Sequence, residues 1–544
     1  MPSPSGYLLL VLHAHLPFVR HPEHDNFLEE RWLFEAITET YLPLLSRLNR
    51  LREENVPVKL AMSFSPTLLA MLGDPLLQAR YLRHLDQTIE LVSQETQRTR
   101  WTPTFHRLAW FYYHRLTEAK RLYLGTYRGD LVAAFRQLIN SGVIEPLATC
   151  ATHGFLPLLS QQTAAVRAQI RVGIQALQQA FGRKPAGFWL PECGFSAGQD
   201  ALLADEGIRY TILDAHGVLF GSPRPRYGVY APVTCPNSGL TVFGRDLAAS
   251  RSVWSPTEGY PGDPDYREFY RDLGFDLDHH YLKPYLGGDG VRTYTGIKYY
   301  RVTGSTTEKA PYDPDRALEK AAAHAGQFLL DRAGQVQALK SVTDQPPAIL
   351  FPFDAELFGH WWFEGPDWLE ILFRKAPSVV PDLAWTTPSE YLSLAAAPQA
   401  VDPAPSSWGL QGYNEVWLNG ANDWIYRDLH AMTERMSALA AQEMKDPLKA
   451  RAVAQMGREL LLAQSSDWPF ILKNGTHTTY AYRRLQEHTE RFYRLAESVE
   501  RGTIDEKDLA DIENRDNLFP FLKPRDFIQA ARPASGRQRE RAVA

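Results

Sequence analysis

Asp354 stands in the stretch Phe351–Trp362, which reads F-P-F-D-A-E-L-F-G-H-W-W. Two carboxylates, Asp354 and Glu356, are followed there by His360 and the indoles Trp361 and Trp362. An acid can give or take a proton, and flat apolar rings stack on the faces of sugars. A second carboxylate, Glu192, sits in G-F-W-L-P-E-C-G-F, held on a stiff loop between Trp189, Pro191 and Phe195. Cleaving a glycosidic bond with retention takes two such groups about 5–5.5 Å apart, one the nucleophile and one the acid and then base. The residues alone do not decide which plays which part. His13 and His15, one residue apart on an extended segment, point the same way. They could ligate a metal, hydrogen-bond sugar hydroxyls, or orient Glu192. His153 is a further candidate of the same kind. Cys193 has no neighbouring base or helix N-terminus to lower its pKa, so it is not read as a nucleophile.

Each of these groups follows an apolar, β-compatible run. Tyr7–Leu12 precedes His13 and His15, Val143–Thr149 precedes His153, Gly187–Leu190 precedes Glu192, and Ala348–Phe353 precedes Asp354. Val58–Phe64 and Tyr210–Asp214 read as two more strands. Helical spacing between them predicts helices over Glu29–Glu54, Ala164–Phe181, Gln199–Glu206, Asp315–Arg332 and Asp367–Lys375. Ser65-Pro66-Thr67 and Thr387-Pro388-Ser389-Glu390 have the form of helix starts. Alternating strand and helix, with polar groups just past the strands, predicts a parallel α/β barrel. Its site would gather at the C-terminal ends of the strands.

We expect the catalytic barrel over 1–395, with a helical insertion at about 70–140 and a loop-rich region at about 216–304. An Ala/Pro/Ser linker at 396–406 leads to a C-terminal helical domain, 407–530, with helices near Ala421–Gln442, Pro447–Ser465 and Thr479–Arg501. The basic, polar tail 531–544 is expected to be disordered.

The 544 residues carry a net charge of −5 and no long basic run, which excludes an ordinary nucleic-acid binder. No apolar run is long enough to span a bilayer, so no membrane partner is expected. Three cysteines, without a C-x-x-C pair, make no disulfide framework. With no signal peptide legible, a cytoplasmic protein is expected. Aromatic residues make up 12%, which suits a sugar-binding surface.

His13–Pro17, Ala151–Pro157, Trp189–Phe195 and Phe351–Trp362 resemble successive signature regions of glycoside hydrolase family 57. The stretches H-A-H-L-P-F-V-R-H-P-E, R-P-R-Y-G-V-Y-A-P-V (224–233), E-G-Y-P-G-D-P-D-Y-R-E-F-Y-R-D-L-G (258–274) and G-I-K-Y-Y-R-V-T-G (296–304) are similar to the family's 1,4-α-glucan branching enzymes. The likeness covers most of the chain. It implies a (β/α)7 barrel with a helical insertion and a C-terminal α-helical domain that completes the glucan cleft. It also implies a retaining mechanism, no metal and no cofactor. The substrate would be α-glucan (amylose, amylopectin or glycogen), worked on by a monomer. By the same resemblance, Glu192 is the nucleophile and Asp354 the acid/base. His13, His15 and His153 are substrate-binding, and Arg271 and Gly288 line the glucan site. Trp408 and Trp417 match a pair of aromatic platforms, Trp361 lines a subsite, Asp467 reaches in from the C-terminal domain, and His477 is a possible further contact.

Two departures stand out. Branching members carry a loop tyrosine over the cleft, whereas Asn237–Ser252 has none, leaving only Tyr227 and Tyr230 nearby. Lys473–Thr478 lacks a glutamine that the resemblance leads one to expect. An α-amylase-like hydrolase with the same residues is therefore the main alternative, because an open cleft lets water compete for the glycosyl-enzyme. A metal-dependent barrel enzyme using His13, His15 and Asp354, and a silent glucan-binding protein, are the readings from other classes.

Overall fold

The computed structural model describes residues 4–255, 258–286 and 290–528. The expected tail, 531–544, and Gly288 lie outside them.

Strand β1 (Gly6–Ala14) is apolar on both faces and almost wholly buried, as a strand covered by helices on either side must be. Beside it run β2 (Leu60–Phe64), β3 (Ile144–Thr149), β4 (Gly187–Trp189) and β5 (Tyr210–Leu213), all parallel. Within the stretch read as loop lie two more strands, β6 (Val233–Thr234) and β7 (Thr241–Gly244). β7 is parallel to β5, and β6 is antiparallel to β7. Strand β8 (Ala348–Asp354) flanks β1 on its other edge. Seven parallel strands thus run in the order β7-β5-β4-β3-β2-β1-β8. The ends of this curled sheet meet where the Asp246 N–H donates to Leu350 O at 2.7 Å. Strand β9 (Leu383–Trp385) pairs the start of β1, along the edge that β2 reaches only from Val11 onward. The loop reading of β7 failed because T-V-F-G is four residues long, between Asn/Ser/Gly and a charged pair. So short a run shows no periodicity of its own.

Register is what gathers the site. His13 pairs with Ser63 on one side and with Asp354 on the other. The first helical stretch is broken by a π-helical turn, Ile37–Tyr41, between Glu30–Ala36 and Leu42–Glu53. This extra residue in the turn aims Glu39 and Tyr41 at the loop after β8. Helices Pro66–Leu72, Pro75–Arg98, Pro103–Arg121 and Leu131–Asn140 fill the span between β2 and β3. Ser65 and Asp74 cap the first two, each followed by proline at the first helical position. At Thr387 both bonds of a capping box are formed with Glu390.

The Ala/Pro/Ser stretch is pinned to the barrel. Strand β10 (Gln399–Ala400) pairs β6, Asp402 and Ser222 exchange backbone bonds, and Ser406 does the same with Phe195. Beyond it, helices Trp424–Ala440, Pro447–Ala463, Asp467–Asn474, Thr478–Arg501 and Glu506–Arg515 form a bundle against the barrel rim. Thr152 bonds Leu461 O, Gln169 bonds Gln464 at 3.1 Å, and the Ser466 N–H donates to His153 O at 3.0 Å.

Candidate active site

Glu192 ends the loop after β4 in a left-handed conformation, φ 62° and ψ 21°. The strain of a non-glycine residue there is offset by the contacts that hold it. The indole Nε1 of Trp408 donates to Glu192 Oε2 at 2.7 Å, and the Trp408 N–H donates to Glu192 O at 2.9 Å. Burial, helped by the negative charges of Asp354 and Asp467, pushes the Glu192 carboxyl up to about 7 against that indole hydrogen bond. Asp354 closes β8 and forms no hydrogen bond with another described side chain. Burial and then Glu356 push it up to about 7, while His15 and Arg245 act the other way. Two carboxylates that feel each other across one pocket, both displaced toward neutrality, suit proton transfer near pH 7.

Behind Glu192 lies a column of imidazoles. His13 and His153 share a 2.8 Å hydrogen bond between their Nε2 atoms. His15 stacks on His153 with ring centroids 3.8 Å apart, and His13 lies 5.0 Å from the Trp189 ring. Burial, together with the charge on His15, holds His13 and His153 well below the ordinary imidazole range, so both are neutral. His13 Nδ1 lies 3.2 Å from Ser63 Oγ, and His153 Nδ1 lies 2.7 Å from Ser466 Oγ. Ser466 in turn donates to Glu192 Oε1 at 3.4 Å. With Glu192 ionised, one proton arrangement serves every link: Ser63 to His13, His13 to His153, His153 to Ser466, Ser466 to Glu192. His15 differs from its neighbours. Burial opposes its charge, but Asp467, 3.1–3.2 Å from Nε2, raises its pKa. Asp467 is held at about 2: burial acts against this, and the facing His15 outweighs it.

Glu356 is taken up by hydrogen bonds of its own. It accepts from the Tyr41 hydroxyl and, at 3.2 Å, from the His15 N–H. Burial pushes it up to about 7. His360 binds Glu39 at 2.7 Å, and Trp362 is buried. Trp361 is 52% exposed and stacks on Phe269.

The other expected residues fall in different places. Trp408 is at Glu192, whereas Trp417 is only 1% exposed and stacked on Phe155, so as placed it offers no face to a sugar. Its packing supports the 407–417 turn. Arg271 pairs with Asp276 at 3.1 Å and lies over the Tyr300 ring, with no bond to the carboxylate pair. His477 faces Glu29 and the edge of Trp32 instead. Cys193 is buried and its thiol is pushed well up by that burial, which makes a poor nucleophile. For the metal reading, both ring nitrogens of His13 are engaged by Ser63 and His153. Among the described residues, one trio could present three ligand atoms together, Glu459, His488 and Asp516, and it sits inside the C-terminal bundle.

Sequence reasoning missed Ser63, Tyr41, Ser466 and Arg245. Ser466 had a signal, since it precedes Asp467 in S-S-D-W-P-F. Arg245 had one only if β7 was recognised as a strand.

Neither Tyr227 nor Tyr230 covers the pocket. Tyr230 O accepts from the N–H of Ala348, the first residue of β8. Asp354 is the last residue of that strand, roughly 20 Å away at the usual rise. Tyr227 shares that lower end, beside Asp344.

Residues 9–272 match the model of glycosyl hydrolase family 57, and 428–527 match that of the 1,4-alpha-glucan branching enzyme C-terminal domain. The chain is 30% identical to a 1,4-alpha-glucan branching enzyme of Thermococcus kodakarensis, over 95% of this chain and 77% of that one. Its structure is similar to that of the alpha-amylase AmyC of Thermotoga maritima, with a TM-score of 0.90, 42% identity and coverage of 97% and 99%. It is also similar to the GH57-type branching enzyme of Pyrococcus horikoshii, with a TM-score of 0.87, 32% identity and coverage of 97% and 98%.

Proposed function

The chain belongs to glycosyl hydrolase family 57, and from that membership we propose that it is a 1,4-α-glucan branching enzyme. The observation that carries the mechanism is the half-buried pair Glu192 and Asp354, delivered by β4 and β8 into one pocket with their carboxyls both pushed up to about 7. Ionised Glu192 attacks the anomeric carbon of an α-1,4-linked glucose. The bond to the leaving O4 breaks as Asp354 gives that oxygen its proton, and a glycosyl-enzyme forms on Glu192. A 6-hydroxyl of a second glucan then attacks the same carbon and gives its proton to Asp354. Glu192 is released, and an α-1,6 branch is made with the α configuration retained.

Trp408 orients Glu192 and offers its ring to a sugar, and Trp361 extends the wall. Arg271 and His477 would contribute only to outer subsites. Amylose, amylopectin and glycogen are the substrates of this reading, taken up by a monomer. Three buried, unpaired cysteines fit a reducing cytoplasm. Among the described residues no helix is long and apolar enough to cross a membrane.

The likeness to AmyC, at higher identity than to either branching enzyme, favours a second reading, hydrolysis of α-1,4-glucan by the same two carboxylates. The tyrosines at the lower end of β8 point the same way. Incubation with linear amylose separates the two. Branching gives α-1,6 anomeric signals by NMR and short chains after debranching, with few new reducing ends. Reducing ends alone would make the protein a hydrolase.

A further inference from the structure

We propose that Arg245 is a further positioning residue of this reaction, fixed by Asp214 and Ser250 against the Trp408 ring that holds Glu192, on the flank of the pocket where β8 delivers Asp354. The inference rests on the roles given above to Glu192 and Asp354.

Arg245 is the first residue after β7, and Asp214 the first after β5. The two strands are paired through Leu213 and Gly244, so the two side chains leave the sheet side by side. Arg245 Nη1 donates to Asp214 Oδ2 at 3.1 Å, and Nε donates to Ser250 Oγ at 2.9 Å. Ser250 opposes the guanidinium from the next helix, Leu247–Trp254. Thus anchored on two sides, the guanidinium centre lies 5.6 Å from the Trp408 ring centroid, a cation–π distance. The Asp246 bond to Leu350 fastens the same turn to β8.

Asp214 has a second task. Its Oδ1 lies 3.3 Å from His216 Nδ1, and His216 Nε2 lies 2.7 Å from Gly412 O. That carbonyl also accepts the Ser407 N–H at 2.8 Å and closes the turn that presents Trp408. Gly412 has φ +82°, and a Cβ there would fall 2.8 Å from the His216 ring. The rim therefore grips the Trp408 turn twice, by Arg245 on the ring and by His216 on the backbone, with Asp214 between them. The indole can then meet Glu192 in one orientation.

Arg245 also balances charge. Asp354 is faced by Glu356 from its own strand end, by His15 from β1, by Glu192 from β4 and by Arg245 from β7. Two cations stand against two other carboxylates. Losing the guanidinium leaves Asp354 holding its proton to higher pH and leaves the indole of Trp408 free to drift.

The test is kinetics on amylose across pH for R245M and R245K beside wild type and E192Q. R245M is expected to lose about tenfold or more in kcat/KM, with the basic limb displaced upward by about half a pH unit or more. R245K keeps the charge but not the fork, so its basic limb stays in place while kcat falls by a smaller factor. R245Q repeats the neutral arm if R245M does not fold. An R245M profile superimposable on wild type overturns the inference, as does an equal loss in R245M and R245K with the basic limb unmoved. Activity in E192Q overturns the underlying assignment instead, so the two failures are distinguishable.

Discussion

Two half-buried carboxylates that influence each other titrate as a pair, and the mechanism proposed above needs Glu192 ionised and Asp354 protonated. Both are displaced upward to about 7. Activity should fall on the acid side as Glu192 takes up a proton and on the alkaline side as Asp354 loses one, giving a bell centred near neutrality. Asp354→Ala removes the proton delivered to O4. Its kcat on amylose should drop by about 10²–10⁴-fold. A substrate with a good leaving group needs little protonation and should lose far less. Equal losses on both substrates, measured by initial rates, would show that Asp354 is not the acid. Both carboxylates are legible in sequence because their neighbours, Pro191, Trp189 and Phe353, announce a stiff, dry strand end. Ser466 and Arg245 are not, since each is an ordinary polar residue until its partner arrives from another element.

Strand ends act here as brackets, and their spacing depends on how tightly the helices seat. Gly173, inside the helix Thr163–Phe181, lies against the last residue of β3, and a Cβ there would come within 1.9 Å of Thr149 O. Alanine is normally favoured over glycine in a helix interior by about 1 kcal/mol. A contact with backbone at that distance outweighs the gain, because neither partner can rotate away. Gly173→Ala should destabilise the protein by about 1–3 kcal/mol, as overpacked sites do. Because β3 leads into His153, activity should fall with it. Thermal melting and amylose turnover check both, and a variant as stable and active as wild type would show that the helix does not bear on β3. Six of the ten strands were legible as apolar runs of four to seven residues. β7 was not, and the π turn at Ile37–Tyr41 left no mark in a sequence that reads as one helix.

At the scale of the molecule, the candidate active site belongs to two units. The barrel supplies Glu192, Asp354 and the histidines, while the chain beyond it brings Trp408, Ser466 and Asp467. Around the site, Arg20 pairs with Asp74 at 2.8 Å and bonds the carbonyls of Asn514 and Arg515, so docking is also secured from the rim. The His15–Asp467 pair gives docking a pH dependence. Asp467 is depressed to about 2, so its share of stability is present above the unfolded aspartate pKa and is lost as pH falls through about 2. His15 is raised, so its share is present below the unfolded histidine pKa and is lost as pH rises through the folded value. Both shares are complete between about pH 4 and 6.5. Asp467→Asn should therefore lower Tm most at about pH 5.5, with the deficit shrinking toward about pH 9. A deficit independent of pH, read by calorimetry at both values, would mean that the pair does not carry charge.

The sequence alone determined the barrel class and the family and singled out the two candidate carboxylates, because those depend on local patterns: apolar runs, stiff aromatic flanks and motifs in a set order. It also identified Asp467 as a residue reaching in from the C-terminal domain, through its place in a motif. Only the tertiary structure decided which rings face the cleft, burying Trp417 while setting Trp408 on Glu192. It alone revealed that burial holds His13 and His153 well below the ordinary imidazole range while Asp467 raises His15, and that Arg245 and His216 grip the turn carrying Trp408. Burial and pairing are properties of the space between elements. A histidine's charge or an indole's free face depends on partners up to several hundred residues away, and no spacing along the chain encodes them.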